Sequence, residues 1–323
     1  DDHLGEGAVV AVERRKRKGP VLSASSIPCL RHIPTINITE GCAHGCAYCY
    51  TQGYSGYPGA GRVVLYDNIP DLVEAELRRK RKRPRRAYFS PSSDAFQPLP
   101  EVLEITYQTM SNLLQAGVEV AFLTKGVVNE RFLTLFSQCP AQVFAQIGIT
   151  TLCERVWQVL EAGAASPRQR LESIENLTGL GVVTTARLDP LIPDLTDTDA
   201  SLESLLTELT RRNVRSIAAS YLFIRPAFAQ WLTECMRVLS PSSRPVNNWP
   251  WQELAHGVGG GRMIGMEERR QRFARLAALA QHHGIALHAC TCKNPGLGRD
   301  GGCQIAGPPC PTSLDGFPLF GQE

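Results

Sequence analysis

The stretch "TEGCAHGCAYCYTQGY", residues 39–54, carries Cys42, Cys46 and Cys49 within eight positions. Three thiols are an odd number for disulfides and one short of a closed four-ligand metal site. The preceding "PTINIT" (34–39) reads as a β-strand running into the cysteine loop. Any account of the chain has to explain why a strand ends in three crowded thiols.

The 323 residues suffice for one large core, and the net charge is only +3. The composition is that of a soluble globular protein, with no apolar run of membrane-spanning length. The first residues lack an apolar core and do not read as a secretory signal. They also lack an initiator Met, so the sequence reads as a trimmed or internal part of a longer chain. Eleven cysteines without an export signal point to a reducing compartment, the cytoplasm, where clustered thiols are metal ligands before they are disulfides. Two basic runs stand out, "RRKRK" (14–18) and "RRKRKRPRR" (78–86), the second with eight basic residues in nine. Such a run is either a solvated helix end, where cations suit the dipole, or a phosphate-binding surface.

Downstream, short apolar segments alternate with amphipathic ones. "IPDLVEAELRRKRKR" (69–83), 99–117, 129–138, 166–181, 199–213 and 266–284 read as helices. Residues 86–90, 118–126, 141–150, 182–193 (broken by Pro190), 214–224 and 285–290 read as strands. Ser166 and Pro167 form a helix start, with Gly181 as terminator. Strands apolar on both faces, alternating with helices, indicate a parallel sheet covered by helices. Six such units fit between residues 34 and 240, so an α/β fold with an open six-unit barrel is expected. "HGVGGGRMIG" (256–265) reads as a mobile glycine-rich loop. The expected organisation is an N-terminal extension (1–33), the barrel (34–240), a helix and strand region (241–289) and a Cys-rich tail (290–323).

A cubane iron–sulfur cluster usually takes four thiolates. A loop supplying three leaves one iron open to a substrate or cofactor, as a catalytic zinc keeps one position open. Zinc itself is the competing reading, with His44 inside the loop. The spacing Cys-x3-Cys-x2-Cys after the first strand of a βα barrel resembles the signature of the radical S-adenosylmethionine (SAM) superfamily. That resemblance implies a partial (β/α)6 TIM-like barrel, with Cys42, Cys46 and Cys49 holding a [4Fe–4S] cluster whose fourth iron binds SAM. Reduction then yields methionine and a 5′-deoxyadenosyl radical that abstracts hydrogen from a substrate. It also implies a reductant such as flavodoxin or ferredoxin.

Within that superfamily, "CAYCYTQ" (46–52), "YFSPSSD" (88–94), "LTKG" (123–126), "ARLDPLIPDLTD" (186–197) and "FIRP" (223–226) resemble segments of the spore photoproduct lyase-like group. The resemblance implies a SAM pocket formed by Tyr48, Tyr50, Ser90, Ser92, Ser93, Asp94, Lys125 and Arg187. Strand ends at the C-terminal face of a barrel independently favour the last six. Bland alternatives stand beside each: Lys125 as a solvated strand end, Arg187 as a surface cation, Asp94 as a helix cap. Gln146 faces a similar choice. Residues 88–94 contain no thiol where the lyase proper has its hydrogen-donating cysteine, so a different reaction is expected. Cys139 and Cys153 read as small buried hydrophobes.

The tail "ACTCKNPGLGRDGGCQIAGPPC" (289–310) offers Cys290, Cys292, Cys303 and Cys310, a complete ligand set. A second [4Fe–4S] cluster is favoured over zinc, because the first pair is Cys-x-Cys rather than Cys-x2-Cys. The expected function is radical SAM chemistry on an unidentified substrate. Nucleic acid is favoured through 78–86, with a peptide or small metabolite as the alternative. A noncatalytic iron–sulfur or zinc protein that binds nucleic acid is the alternative of another class.

Overall fold

The structure, a computed structural model, describes residues 10–23, 25, 30, 33–239, 251–256, 259–290, 294 and 297. The chain opens with β1 (Ala11–Arg15), β2 (Thr35–Ile36) and β3 (Thr39–Glu40), and reaches β4 (Arg62–Tyr66) after the cysteine loop. Helices and strands then alternate: α1 (Ile69–Arg79), β5 (Arg86–Phe89), α2 (Pro100–Gln115), β6 (Glu119–Thr124), α3 (Glu130–Ser137), β7 (Val143–Gly148) and α4 (Glu154–Glu161). They continue with α5 (Pro167–Gly179), β8 (Val183–Leu191), α6 (Asp199–Arg211), β9 (Ser216–Tyr221) and α7 (Pro226–Leu239). A hairpin of β10 (Trp251–His256) and β11 (Gly259–Ile264) precedes α8 (Met266–His282) and β12 (Ala286–Ala289).

Seven strands form one parallel sheet in the order β12-β9-β8-β7-β6-β5-β2. β5 and β7 are buried along their whole length, as helices on the outer face and side chains on the inner face require. Among the described residues the two edge strands do not pair with each other, so the barrel is open. β12 adds a seventh strand to the six expected units. Because all seven run the same way, their carboxyl ends share one rim, and the loop after β2 and β3 lies there. Phe96, Phe122, Phe132 and Phe136 pack ring against ring between the sheet and α2 and α3.

Several expectations need correction. "PTINIT" is two strands rather than one. β2 pairs with β5, but at Asn37 the chain leaves the main sheet, and β3 pairs antiparallel with β4. Pro190 does not end β8: it lies at a register shift between Leu188 and Leu191, where the ladder needs no N–H from it. The helix of residues 69–83 stops at Arg79, with Lys80 extended. The glycine-rich 256–265 contains β11, which pairs with β10; at Gly261 a Cβ would meet Ile224 O and the Phe223 ring at 2.6 Å. α4 and α7 are helices in segments without an assigned element. Residues 10–22 also take part in the fold, since β1 pairs with β4 and buried Val21 and Leu22 donate their N–H groups to the Glu76 carboxylate.

Candidate active site

The cysteine loop is seated from three sides. Beneath it, the Ala47 N–H donates to Leu160 O at the end of α4 (2.9 Å). Gly163, in the turn between α4 and α5, lies so close that a Cβ would stand 2.6 Å from His44 O and 2.7 Å from Ala43 O. On the second side, fully buried Gln97 accepts from the Ala43 N–H (2.7 Å) and donates to Thr39 Oγ1 and Asp94 O (2.8 Å each). On the third, Arg225 donates to Tyr50 O (3.0 Å) in the 3-10 turn that follows Cys49. Gly41 (φ +79°) begins the loop in a backbone conformation that side chains disfavour, tight against Arg62 O.

Burial raises the Cys42 thiol well above its usual range, reinforced by the Asp94 carboxylate. Desolvation pushes Cys46 up to about 12, with the charge of Glu161 adding to it. Thiolates therefore need a positive partner here, such as a metal centre, which deprotonates a coordinating thiol. A single tetrahedral ion would draw its sulfurs to about 2.3 Å. Among the described residues no group of three His, Cys, Asp or Glu side chains could hold such an ion. A cubane distributes its thiolates over separate irons.

Around the loop, the strand ends bring most of the expected residues together. Asp94 does not cap α2, whose N-cap is Leu99. Its Oδ1 accepts from Phe96 N–H (2.8 Å) and Thr124 Oγ1 (2.7 Å), its Oδ2 accepts from Lys125 N–H (2.8 Å), and His44 Nδ1 lies 3.4 Å away. Desolvation lowers His44 from its usual value. Lys125 points inward: its Nζ donates to Asp189 O (2.9 Å), stands 5.2 Å from the Tyr48 ring centroid, and lies 3.5 Å from Glu161 Oε1. Gly148 leaves room for its aliphatic chain, which a Cβ there would meet at 2.9 Å. Arg187 is buried rather than superficial, donating to Asp189 Oδ2 (2.9 Å) and to Gln146 Oε1 (3.3 Å).

The side-chain oxygens of Tyr48, Ser90 and Ser93 and the Nε2 of His44 are buried without a hydrogen-bond partner among the described residues. Such groups cost free energy unless something satisfies them, and a polar ligand in this cradle would. Three soft donors and these unsatisfied atoms fit an iron–sulfur cluster with a polar cofactor beside it. Ser92 uses its N–H on Asn37 Oδ1 (3.2 Å), while Tyr50 is partly exposed and its hydroxyl donates to Pro91 O. Cys153 is exposed rather than buried.

Sequence reasoning missed the ion pair beneath the loop. Glu161 and Arg170 are buried, with Oε2 and Nη2 2.5 Å apart. Arg170 also donates to Ala165 O and Gly148 O, fastening the α4–α5 turn to β7. Desolvation raises Glu161 above the ordinary carboxylate range, and Arg170 opposes that. The signal was the amphipathic "ERVWQVLE" (154–161), whose Val156 and Leu160 mark a helix.

Cys290 follows β12, buried, with its N–H on Ala219 O, so it stands at the same rim as the cysteine loop. Cys292, Cys303 and Cys310 lie outside the described residues. No helix among the described residues is long and apolar enough to cross a membrane.

The family model for the radical SAM superfamily matches residues 36–206. The chain belongs to the radical SAM superfamily. Its enzymes use a [4Fe–4S] cluster and SAM. The chain is 24% identical over 206 residues to an uncharacterized protein of Mycobacterium tuberculosis, covering 61% of each. It is 28% identical over 159 residues to the radical SAM Nalpha-GlyT isomerase of Pseudomonas phage M6, covering 49% of this chain and 33% of the isomerase. It thus spans less than two thirds of each of these relatives' lengths. A spore photoproduct lyase variant, solved with bound AdoMet and dinucleoside spore photoproduct, superposes with a TM-score of 0.65 at 14% identity, over 87% of this chain and 82% of the lyase. This radical SAM chain therefore has the lyase's fold.

Proposed function

We propose that this chain reductively cleaves SAM and directs the resulting radical onto a substrate held at the carboxyl rim of its sheet. The observation that carries this reading is the three-cysteine loop, seated on backbone and ringed by unsatisfied buried polar atoms. Cys42, Cys46 and Cys49 would hold the cluster, which when reduced supplies the electron that yields methionine and a 5′-deoxyadenosyl radical. Tyr48, Ser90 and Ser93 present polar atoms to the cofactor, and Lys125 and Arg187 present positive charge to its anionic groups. The Asp94 and Gln97 hydrogen bonds hold the loop and Lys125 in register. Burial excludes water, so a radical formed here is shielded from quenching.

A nucleic acid is the favoured substrate class, supported by the likeness to a lyase solved with a dinucleoside and by the cations of 78–86. The four tail cysteines are assigned to a second [4Fe–4S] cluster, and a small electron-transfer protein to the role of reductant. Residues 34–240 form the catalytic unit in this reading. The test is iron and sulfide content with Mössbauer spectra on anaerobically reconstituted protein and on the Cys42→Ala/Cys46→Ala/Cys49→Ala variant. About eight irons falling to about four support both clusters. About four falling to none support the catalytic one alone and return the tail to zinc. Iron unaffected by the change, or no 5′-deoxyadenosine upon reduction with SAM, refutes the reaction.

A further inference from the structure

The basic run 78–86 is divided in its use. Arg78 pairs with Glu74 (2.7 Å) and Lys80 approaches Glu76 (4.0 Å). Arg83 donates to Leu77 O and Ala116 O, sealing the ends of α1 and α2. Arg85 and Arg86 both pair with Glu119, and the Arg86 guanidinium lies 3.7 Å from the Phe144 ring centroid. Folding therefore accounts for five cations. Arg79, Arg81 and Lys82 remain, all exposed, with no ion pair or hydrogen bond among the described residues. Crowding three uncompensated charges on one turn costs free energy through mutual repulsion unless an anion meets them.

Their position is fixed by topology. Residues 80–85 lead into the amino end of β5, while the cysteine loop follows the carboxyl end of β2, its parallel neighbour. The run and the reaction centre are thus at opposite poles of the sheet. α1, 11 residues long, spans the height between them, about 16 Å. A small substrate at the cysteine loop cannot touch Arg81 or Lys82. At about 3.4 Å per nucleotide, a strand needs about five nucleotides to cover that height alone.

We propose that Arg79, Arg81 and Lys82 form an anchoring site for the phosphodiester backbone of a nucleic-acid strand, remote from the chemistry and engaged only by polymers long enough to reach it. The inference rests on the nucleic-acid reading above for the class of polymer. An anionic membrane is the less fitting occupant: within 78–86 every exposed side chain is basic, so no apolar residue adds an anchor to the weak surface attraction of three cations.

The test reads binding without turnover. Labelled oligothymidylate of about thirty nucleotides is titrated by fluorescence anisotropy against the reconstituted 323-residue chain, from about 50 to 200 mM salt. Three phosphate contacts contribute about −2 to the slope of log affinity against log salt, about a 20-fold loss across that range. The Arg79→Gln/Arg81→Gln/Lys82→Gln variant is expected to lose that part of the slope. A variant with Arg79→Lys and Arg81→Lys keeps it, because charge alone is read. A thymidine dinucleotide binds all three proteins alike. An unchanged slope in the Gln variant overturns the proposal, as does a dinucleotide affected as much as the long strand. Phosphatidylserine vesicles binding with the same dependence while the oligonucleotide does not would assign the patch to a membrane and overturn it too. If the wild-type protein fails to cleave SAM, the reaction reading falls while this binding comparison stands on its own.

Discussion

Gly163→Ala adds one methyl group at the point where the α4–α5 turn meets the cysteine loop. The backbone at Gly163 is outside the left-handed region, so conformation alone does not forbid alanine. Space does: the new Cβ would lie 2.6 Å from His44 O, 2.7 Å from Ala43 O and 3.0 Å from His44 C. All three are main-chain atoms, so no side chain can rotate away. Relief requires the loop to lift by several tenths of an ångström, against the Ala47–Leu160 hydrogen bond and the Gln97 contact with Ala43. Overpacking of this kind costs about 1–3 kcal/mol. Gly179 supplies a matched control, because a Cβ at this last residue of α5 meets nothing within 4 Å. Gly179→Ala should stabilise by about 0.5–1 kcal/mol through helix propensity. The assay is urea unfolding together with iron per chain after reconstitution. Gly163→Ala should lower both stability and iron retention, whereas Gly179→Ala raises stability and leaves iron unchanged. Equal iron and stability in wild type and Gly163→Ala would show that the turn does not seat the loop.

Burial raises Glu161 above its ordinary 4.5, so the folded chain keeps a proton that the unfolded chain has released, and stability falls as pH rises from about 4.5 through the raised value. Glu161→Gln should flatten that fall in urea midpoints between pH 4.5 and neutrality, and a parallel curve would contradict the shift. Asp197, fully buried, accepts from Tyr221 Oη (3.0 Å), Arg272 (2.7 Å) and Asp194 N–H (2.6 Å), tying α8 to the end of β8. Asp197→Ala leaves the tyrosine hydroxyl unpaired and Arg272 with only Asp194 and Glu268, and should cost roughly 2 kcal/mol in denaturant unfolding; a loss below about 1 would mean that the network is dispensable. Arg225→Ala removes a charge-assisted hydrogen bond to Tyr50 O worth about 1.5 kcal/mol, so cofactor affinity by calorimetry should weaken about tenfold.

The sheet was legible because its strands are apolar on both faces and its helices carry ordinary signals. Ser166 caps α5 as the sequence suggests, and Gln169 completes a reciprocal pair with it. The divided strand at 34–40 was not legible, because pairing partners, not local pattern, decide where Ile36 ends one sheet and Thr39 joins another. Pro190 misled for a related reason: a bulge removes the need for its missing donor. In the candidate site, Lys125 and Arg187 could be chosen from their strand-end positions. Whether they faced solvent or each other's neighbours depended on Asp189, Gln146 and Glu161, each on a different element. Arg225 lies 175 residues from the turn it holds, a distance no local pattern spans.

The seat of the cysteine loop has one further consequence. Its closest supports meet the loop's main chain, at the carbonyls of Ala43, His44 and Tyr50 and the amides of Ala43 and Ala47. A frame that grips peptide groups is blind to what hangs from them. His44 and Tyr48, buried between the thiols, are tied instead to Asp94 and Lys125, so their side chains answer to the pocket while the peptide frame holds the loop. Such a scaffold lets a lineage, or an engineer, exchange one reaction for another without rebuilding the fastening of the metal.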